Sequence, residues 1–201
     1  MIGIIDYKAG NIRSVKKAFD YLGYDNRIIS NAEDVASADA IVLPGVGAFG
    51  SAVENLHNSS MFDVLKEWIN SGKKFLGICL GMHLLLDGSD ESPGISGFGL
   101  IKGNVIQFRS GKIPQIGWNR VEITDNNEKE RLFSGVRSGS FFYFLHGYYV
   151  PEAIEERIGI SNYHVNYCSA LKYENVYAVQ FHPEKSGNNG LKVLDNWVKI
   201  C

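Results

Sequence analysis

The chain has 201 residues, 45% of them hydrophobic, and its charged residues cancel to a formal net charge of -2. That is enough apolar material for a substantial core, so residues 1–201 are expected to form one domain. The near-neutral balance argues against nucleic acid or an anionic membrane as partner. The opening apolar run is too short for a signal peptide, and no stretch reaches the ~18 apolar residues of a membrane helix, so a cytoplasmic protein is expected.

In chain order, residues 2–5 read as a strand, 11–22 as a helix closed by Gly23, 26–29 as a second strand and 40–43 as a third. Helical patterns start at Phe49 and at Ser60, where Ser60 and Asp63 have the form of a capping box and Gly72 supplies the stop. A fourth strand, 75–78, runs into Cys79, and the following stretch, 80–86, reads as a helix. Parallel strands need crossover connections and bury both faces, so this order predicts a parallel sheet covered by helices, with functional residues at strand ends. From residue 98 onward closely spaced β-prone runs take over, at 103–108, 118–123, 141–150, 157–161, 169–173 and 176–181, before a closing helix at 190–200. The predicted fold class is α/β: a mostly parallel open sheet flanked by helices, with an added antiparallel β portion.

Gly77-Ile78-Cys79-Leu80-Gly81 has the form of a nucleophile elbow between a strand and a helix. Small flanking residues permit a sharp turn, and a cysteine at a helix N-terminus is favoured as thiolate by unpaired N–H groups. A buried structural cysteine beside ordinary turns is the bland alternative, so the elbow needs a base elsewhere in the chain. The segment Val179 to Ser186 offers one. In extended backbone, His182 and Glu184 project to the same side and meet, while Pro183 ends the strand and restrains His182 to extended geometry. A carboxylate beside an imidazole selects its tautomer and stabilises its charged form. His57 and His164 have no such company and are expected to be structural or exposed. Cys79, Cys168 and Cys201 show neither metal-ligand spacing nor an even disulfide framework, so reduced thiols with no metal and no cofactor are expected.

Several segments together resemble one family over nearly the whole chain. They are Asp6 to Asn11, Pro44-Gly45-Val46-Gly47, Gly77 to Met82, Pro114 to Asn119, Tyr143 to His146, and Gln180 to Ser186. The chain resembles the class I, triad-type glutamine amidotransferases, and within them the amidotransferase subunits of imidazole glycerol phosphate synthases. The resemblance implies a flavodoxin-like sheet and a Cys79, His182, Glu184 triad that hydrolyses L-glutamine through a glutamyl thioester. It implies an oxyanion hole from the backbone of Val46 and Leu80. Glutamine binding would fall on Gly47, His83, Glu91, His146 and Gly147, with Glu91 meeting the substrate ammonium. His83 departs from the family, which usually has glutamine there.

The same resemblance implies a partner, a (β/α)8-barrel cyclase subunit that receives the ammonia for histidine biosynthesis, contacted by Asn11, Trp118, Asn119 and Lys185. Trp118 as an ordinary core residue is the alternative. Three rival functions stand beside this one. They are a paralogue feeding another synthase such as a sugar-amidating enzyme, an inactive scaffold, and a dinucleotide-binding module suggested by the G-x-G-x-x-G form of residues 45–50.

Overall fold

In the computed structural model, which describes residues 1–8, 10–124 and 129–200, the first half folds as its apolar rhythm predicts. Strands β1 (Ile2–Ile5), β2 (Asn26–Ile29), β3 (Ala40–Gly45) and β4 (Lys74–Cys79) lie in the order β2-β1-β3-β4, all parallel. β1, β3 and β4 are almost wholly buried because helices cover both faces. The pleat decides which side chain goes where. Ile5, Ile41, Leu43 and Phe75 pack with helices α2 (Phe49–Asn58) and α3 (Met61–Asn70). Ile4, Val42, Leu76 and Ile78 pack with α1 (Ile12–Tyr21) and α5 (Gly187–Lys199). α1 buries Ile12, Val15, Ala18 and Phe19, a stripe at helical spacing. Phe19 meets Trp197 of α5 at 6.1 Å between ring centroids. Burying side chains of this size contributes about 2–3 kcal/mol each.

β12 (Val176–Val179) is the seam of the molecule. It pairs parallel with β4 and antiparallel with β11 (Val165–Tyr173), and from there the sheet continues through β10 (Arg157–Tyr163), β7 (Gln115–Ile123) and β8 (Ser140–His146). β5 (Leu86–Ser89), β6 (Ile101–Gln107) and β9 (Tyr148–Pro151) form a flank in which β9 pairs with both β6 and β11. The expected α/β class, with a parallel portion, covering helices and an antiparallel addition, is what the chain adopts. Among the described residues no helix is long and apolar enough to cross a membrane.

Several local expectations are corrected. The helix expected over 80–86 is one short turn, α4 (Leu80–His83), followed directly by β5. The carbonyls of Leu84 and Leu85 are taken by the N–H groups of Phe98 and Leu100 at 2.7 and 2.9 Å, so they are lost to helix continuation. The single run expected over 141–150 splits into β8 and β9 at Gly147 because the two pieces serve different neighbours, β7 for one and β6 with β11 for the other. Ser60 makes no capping bond; it adopts φ 56° in the tight turn between α2 and α3. Cys79 and Cys168 are free and buried, while Cys201 lies outside the described residues.

Candidate active site

The sequence motifs converge because four adjacent parallel strands, β1, β3, β4 and β12, end at the same edge. The segments leaving them carry Asn11, Val46, Cys79 and the His182–Glu184 pair. Crevices outside the carboxyl ends of such strands are where α/β sheets bind ligands.

Cys79 is the last residue of β4 and has φ 54°, ψ -105°. A non-glycine residue held there costs on the order of 1–3 kcal/mol and signals a constrained site. The flanking glycines are required by contact rather than by flexibility. A methyl group on Gly81 would sit 1.9 Å from the Leu43 carbonyl oxygen, and one on Gly77 would sit 2.7 Å from the Gly81 carbonyl oxygen. The elbow is therefore pressed against the backbone of β3. Across that pair of strands Gly45 is the register partner of Cys79, so Val46 and Gly47 follow directly beside the nucleophile candidate. Gly45 is itself demanded by Tyr7, whose hydroxyl would lie 2.0 Å from an added methyl. Tyr7 is buried with no hydrogen-bond partner for its hydroxyl among the described residues. Burial, and then the neighbouring Cys79, raise its pKa far above the usual phenol value. Gly47 has φ 115°, a conformation in which a side chain would be strained.

His182 is fully buried and sits just past β12. Its Nδ1 lies 2.9 Å from Glu184 Oε1, and the Glu184 side chain is also buried. Asn11 Nδ2 donates to the same Glu184 oxygen at 2.6 Å and lies 3.2 Å from His182 Nδ1. Asn11, directly before α1, thus braces the carboxylate while holding φ 89°. Ser186 clamps the other side, with Oγ donating to the His182 carbonyl at 2.6 Å and accepting from the Tyr143 N–H at 2.9 Å. His182 Nε2 is buried without an aligned partner among the described residues. Burial alone would disfavour a charge on this ring. The attraction of the neighbouring Cys79, aided by Glu184, outweighs it and lifts the imidazole above its ordinary range.

The expected glutamine-binding residues fall in two places. Glu91 Oε2 accepts from the Phe49 N–H at 2.7 Å, and Ser92 Oγ accepts from the Gly50 N–H at 3.0 Å, so this loop caps the N-terminus of α2. Glu91 and Asp90 also add to burial in raising the Tyr148 pKa, which sets the carboxylate beside the segment 146–148. His146 is buried against Phe108, Phe144 and Tyr167. Its Nδ1 donates to the Tyr148 carbonyl at 2.7 Å, and burial drops its pKa to about 3. His83 does not stand beside Glu91 in the hydrogen bonding; it is buried beneath the nucleophile, with Nε2 2.7 Å from Gln180 Oε1. Gln180 thus touches both His83 and Cys79, a contact whose only signal in the sequence is an amide beside an otherwise apolar run.

Of the expected partner contacts, Trp118 and Lys185 meet around Tyr143. Trp118 is 56% exposed, so the core alternative for it is wrong, and Ile116 and Phe141 are exposed with it. Trp118 packs edge-on to Tyr143, over which Lys185 Nζ lies at 5.7 Å. Asn119 instead bonds the Asn162 carbonyl at 2.9 Å. His57 and His164 are exposed, as expected for histidines without a site. The dinucleotide reading of 45–50 fails on two counts. The segment follows β3 rather than the first strand, and the N–H groups at the start of α2 already face a carboxylate where a phosphate would have to sit.

The family model described as "Glutamine amidotransferase class-I" matches residues 3–201. A protein named "Imidazole glycerol phosphate synthase subunit HisH" from Methanocaldococcus jannaschii is 46% identical over 202 residues, covering 100% of both chains. Its namesake from Chlorobium luteolum is 45% identical, over 99% of this chain and 100% of the relative. Among solved structures, a chain of PurLQS from Thermotoga maritima superposes with a TM-score of 0.77 over 98% of this chain and 97% of that one, at 19% identity, a likeness of fold.

Proposed function

Because this chain belongs to the class I glutamine amidotransferases, we propose that Cys79, His182 and Glu184 carry its chemistry. It is a glutaminase subunit, like the relatives named for imidazole glycerol phosphate synthase. Residues 1–201 act as one amidotransferase domain. The free thiols at 79 and 168 suit a reducing compartment, the cytoplasm.

The Cys79 sulfur attacks the side-chain amide carbon of L-glutamine, forming a C–S bond and placing negative charge on the former carbonyl oxygen. Backbone N–H groups of Val46 and Leu80 receive that charge, a role supported by their positions beside the elbow. Imidazolium at His182 gives its Nε2 proton to the nitrogen, the C–N bond breaks, and ammonia leaves a glutamyl thioester. Water then attacks the thioester with His182 as base, releasing glutamate and restoring the sulfur. Glu184, braced by Asn11, keeps Nδ1 protonated so that Nε2 serves the reaction in both directions. Gly47, Glu91, His146 and Gly147 are proposed to shape the glutamine pocket, with Glu91 taking the substrate ammonium.

Ammonia freed into neutral water is mostly protonated, so the product must pass straight to a synthase. We assign the exposed Ile116, Trp118 and Phe141, with Asn11, Asn119 and Lys185 around them, to docking of a (β/α)8-barrel cyclase subunit. The support is connectivity: Trp118 pairs with Tyr143, and the Tyr143 carbonyl accepts the His182 N–H at 2.8 Å. Docking there reaches the catalytic imidazole through one strand.

The observation that carries the reading is the strained Cys79 elbow coupled to a buried, carboxylate-bound imidazole. The test is Cys79→Ala in the complex with the cyclase partner. Glutamate release is expected to fall by about a thousandfold or more, and retention of normal release would overturn the assignment.

A further inference from the structure

We propose that Gln180, aligned by His83, is a positioning residue that donates a hydrogen bond to the Cys79 sulfur, and that His83 supports the nucleophile from below instead of binding glutamine. This deepens the proposed function and rests on Cys79 being the nucleophile.

Gln180 is fully buried, His83 is 5% exposed, and the two meet under the elbow. The Gln180 side chain spans them, with Oε1 2.7 Å from His83 Nε2 and Nε2 3.6 Å from Cys79 Sγ. Its backbone is anchored by a 2.9 Å bond from its N–H to the Ser169 carbonyl, so the side chain starts from a rigid strand end. Buried amides in a dry interior are costly unless paired at both ends. Here His83 pairs one end and the sulfur pairs the other.

The direction of the chain follows from the Gln180 amide oxygen, which can only accept and so makes His83 Nε2 the donor. Burial lowers the His83 pKa to about 4, partly offset by the bond to Gln180, so the ring is neutral at physiological pH. A neutral imidazole whose Nε2 carries the proton needs an acceptor at 2.7 Å, and that is the carbonyl oxygen of Gln180. The amide group is thereby turned so that its N–H faces the sulfur. The reverse orientation would set a carbonyl oxygen against Sγ.

The sulfur then has two neighbours suited to its two states. The Leu145 carbonyl, 3.7 Å away, accepts from a thiol. The Gln180 amide donates to a thiolate, and a bond to an ionised acceptor is roughly twice as strong as a neutral one. When the proton passes to His182 the first contact is lost and the second strengthens. Glutamine, the residue that the family resemblance leads one to expect here, would meet the same demand. The position needs a side chain that donates one hydrogen bond downward, and either residue type does so.

The test uses the whole chain, with alkylation of Cys79 by iodoacetamide read by mass spectrometry at residue 79 as a function of pH. Glutaminase kinetics are measured in the complex with the cyclase partner. Gln180→Glu is nearly isosteric and replaces the donor with an acceptor. It is expected to move the pH midpoint of alkylation up by about one unit or more and to lower kcat about tenfold, with KM for glutamine within about twofold. His83→Leu is expected to move both in the same direction by less. His83→Gln is expected to keep the native profile and secures the test if the leucine variant does not fold. Any of three results overturns the proposal: an unchanged alkylation profile in folded Gln180→Glu, a shifted profile in His83→Gln, or a KM raised tenfold by His83→Leu with the profile unmoved. Normal glutamate release by Cys79→Ala would instead overturn the mechanism beneath it, independently of any relay.

Discussion

The parallel half of the sheet, β1 to β4, and the antiparallel half, β6 to β11, hold the same kinds of apolar residue but tolerate space differently. At the elbow of the parallel half, Gly77 and Gly81 lie against backbone; a methyl added to Gly81 would meet the Leu43 carbonyl oxygen at 1.9 Å. In the antiparallel half, Gly159 on β10 faces side chains, Val121 Cγ1 at 3.0 Å and Ala170 Cβ at 3.2 Å from the same hypothetical methyl. Backbone contacts cannot yield by a rotamer change, whereas side-chain contacts can. The parallel half carries the nucleophile on that backbone-locked elbow, the antiparallel half presents the exposed aromatic face, and β12, which belongs to both, delivers the base.

Paired alanine substitutions should expose that difference most strongly. Gly81→Ala is expected to destabilise the protein by about 3 kcal/mol or more and to abolish glutaminase activity, while Gly159→Ala should cost about 1 kcal/mol and leave kcat near native. Urea unfolding and glutamate release measure both. Equal losses from the two would mean that the elbow is no more rigid than the β10 site.

An acid limb should next show that the two halves share one electrostatic debt. His83 follows β4 and His146 ends β8, and burial depresses their pKa values to about 4 and about 3. Unfolded histidine titrates near 6.5. The unfolded state therefore takes up protons first, so the stability held by these neutral rings is present above that pH and is lost as pH falls toward their folded values. By pH 4.5 each should have cost about 2–3 kcal/mol. His83→Gln removes one of the two, and its stability, relative to the parent at each pH, should fall less steeply between pH 7 and 4.5 by that amount. An identical slope would mean that His83 is charged or solvated in the folded state.

The legibility of the sequence divides along the same line. Strands buried on both faces write uninterrupted apolar runs, so 2–5, 40–43 and 75–78 each fall within or upon the strand observed, and the half-buried edge strand 26–29 was marked by its paired isoleucines. The antiparallel runs were found, but their ends depend on which neighbour each residue meets. That is why 141–150 merged β8 with β9, and why residues 165–168 were missed at the start of β11. The run of leucines at 84–86 suits helix and strand equally, and only the returning chain at Phe98 and Leu100 decides the matter. In the site, the chemistry-bearing residues were readable because their types are few and their spacing mechanical. Their braces were not: Gln180 under Cys79, Tyr7 against Gly45 and Ser186 behind His182 act across large sequence separations, which periodicity does not record.

Glu91 sharpens the comparison at its finest grain, because its loop leaves the flank at β5 and reaches back to cap α2 in the parallel half. One carboxylate oxygen is occupied by the Phe49 N–H, and that bond asks only for an acceptor. Recognition of a substrate ammonium asks for a charge. Glu91→Gln separates the two demands, since the amide oxygen can still accept at the helix end while the negative charge is gone. Stability should fall by no more than about 0.5 kcal/mol. KM for glutamine should rise about tenfold or more, as expected when a charged partner in a substrate contact is lost, while kcat stays within about threefold. An unchanged KM with the same small stability loss would leave Glu91 as a helix cap alone, and would move recognition of the ammonium to other groups around the 146–148 segment.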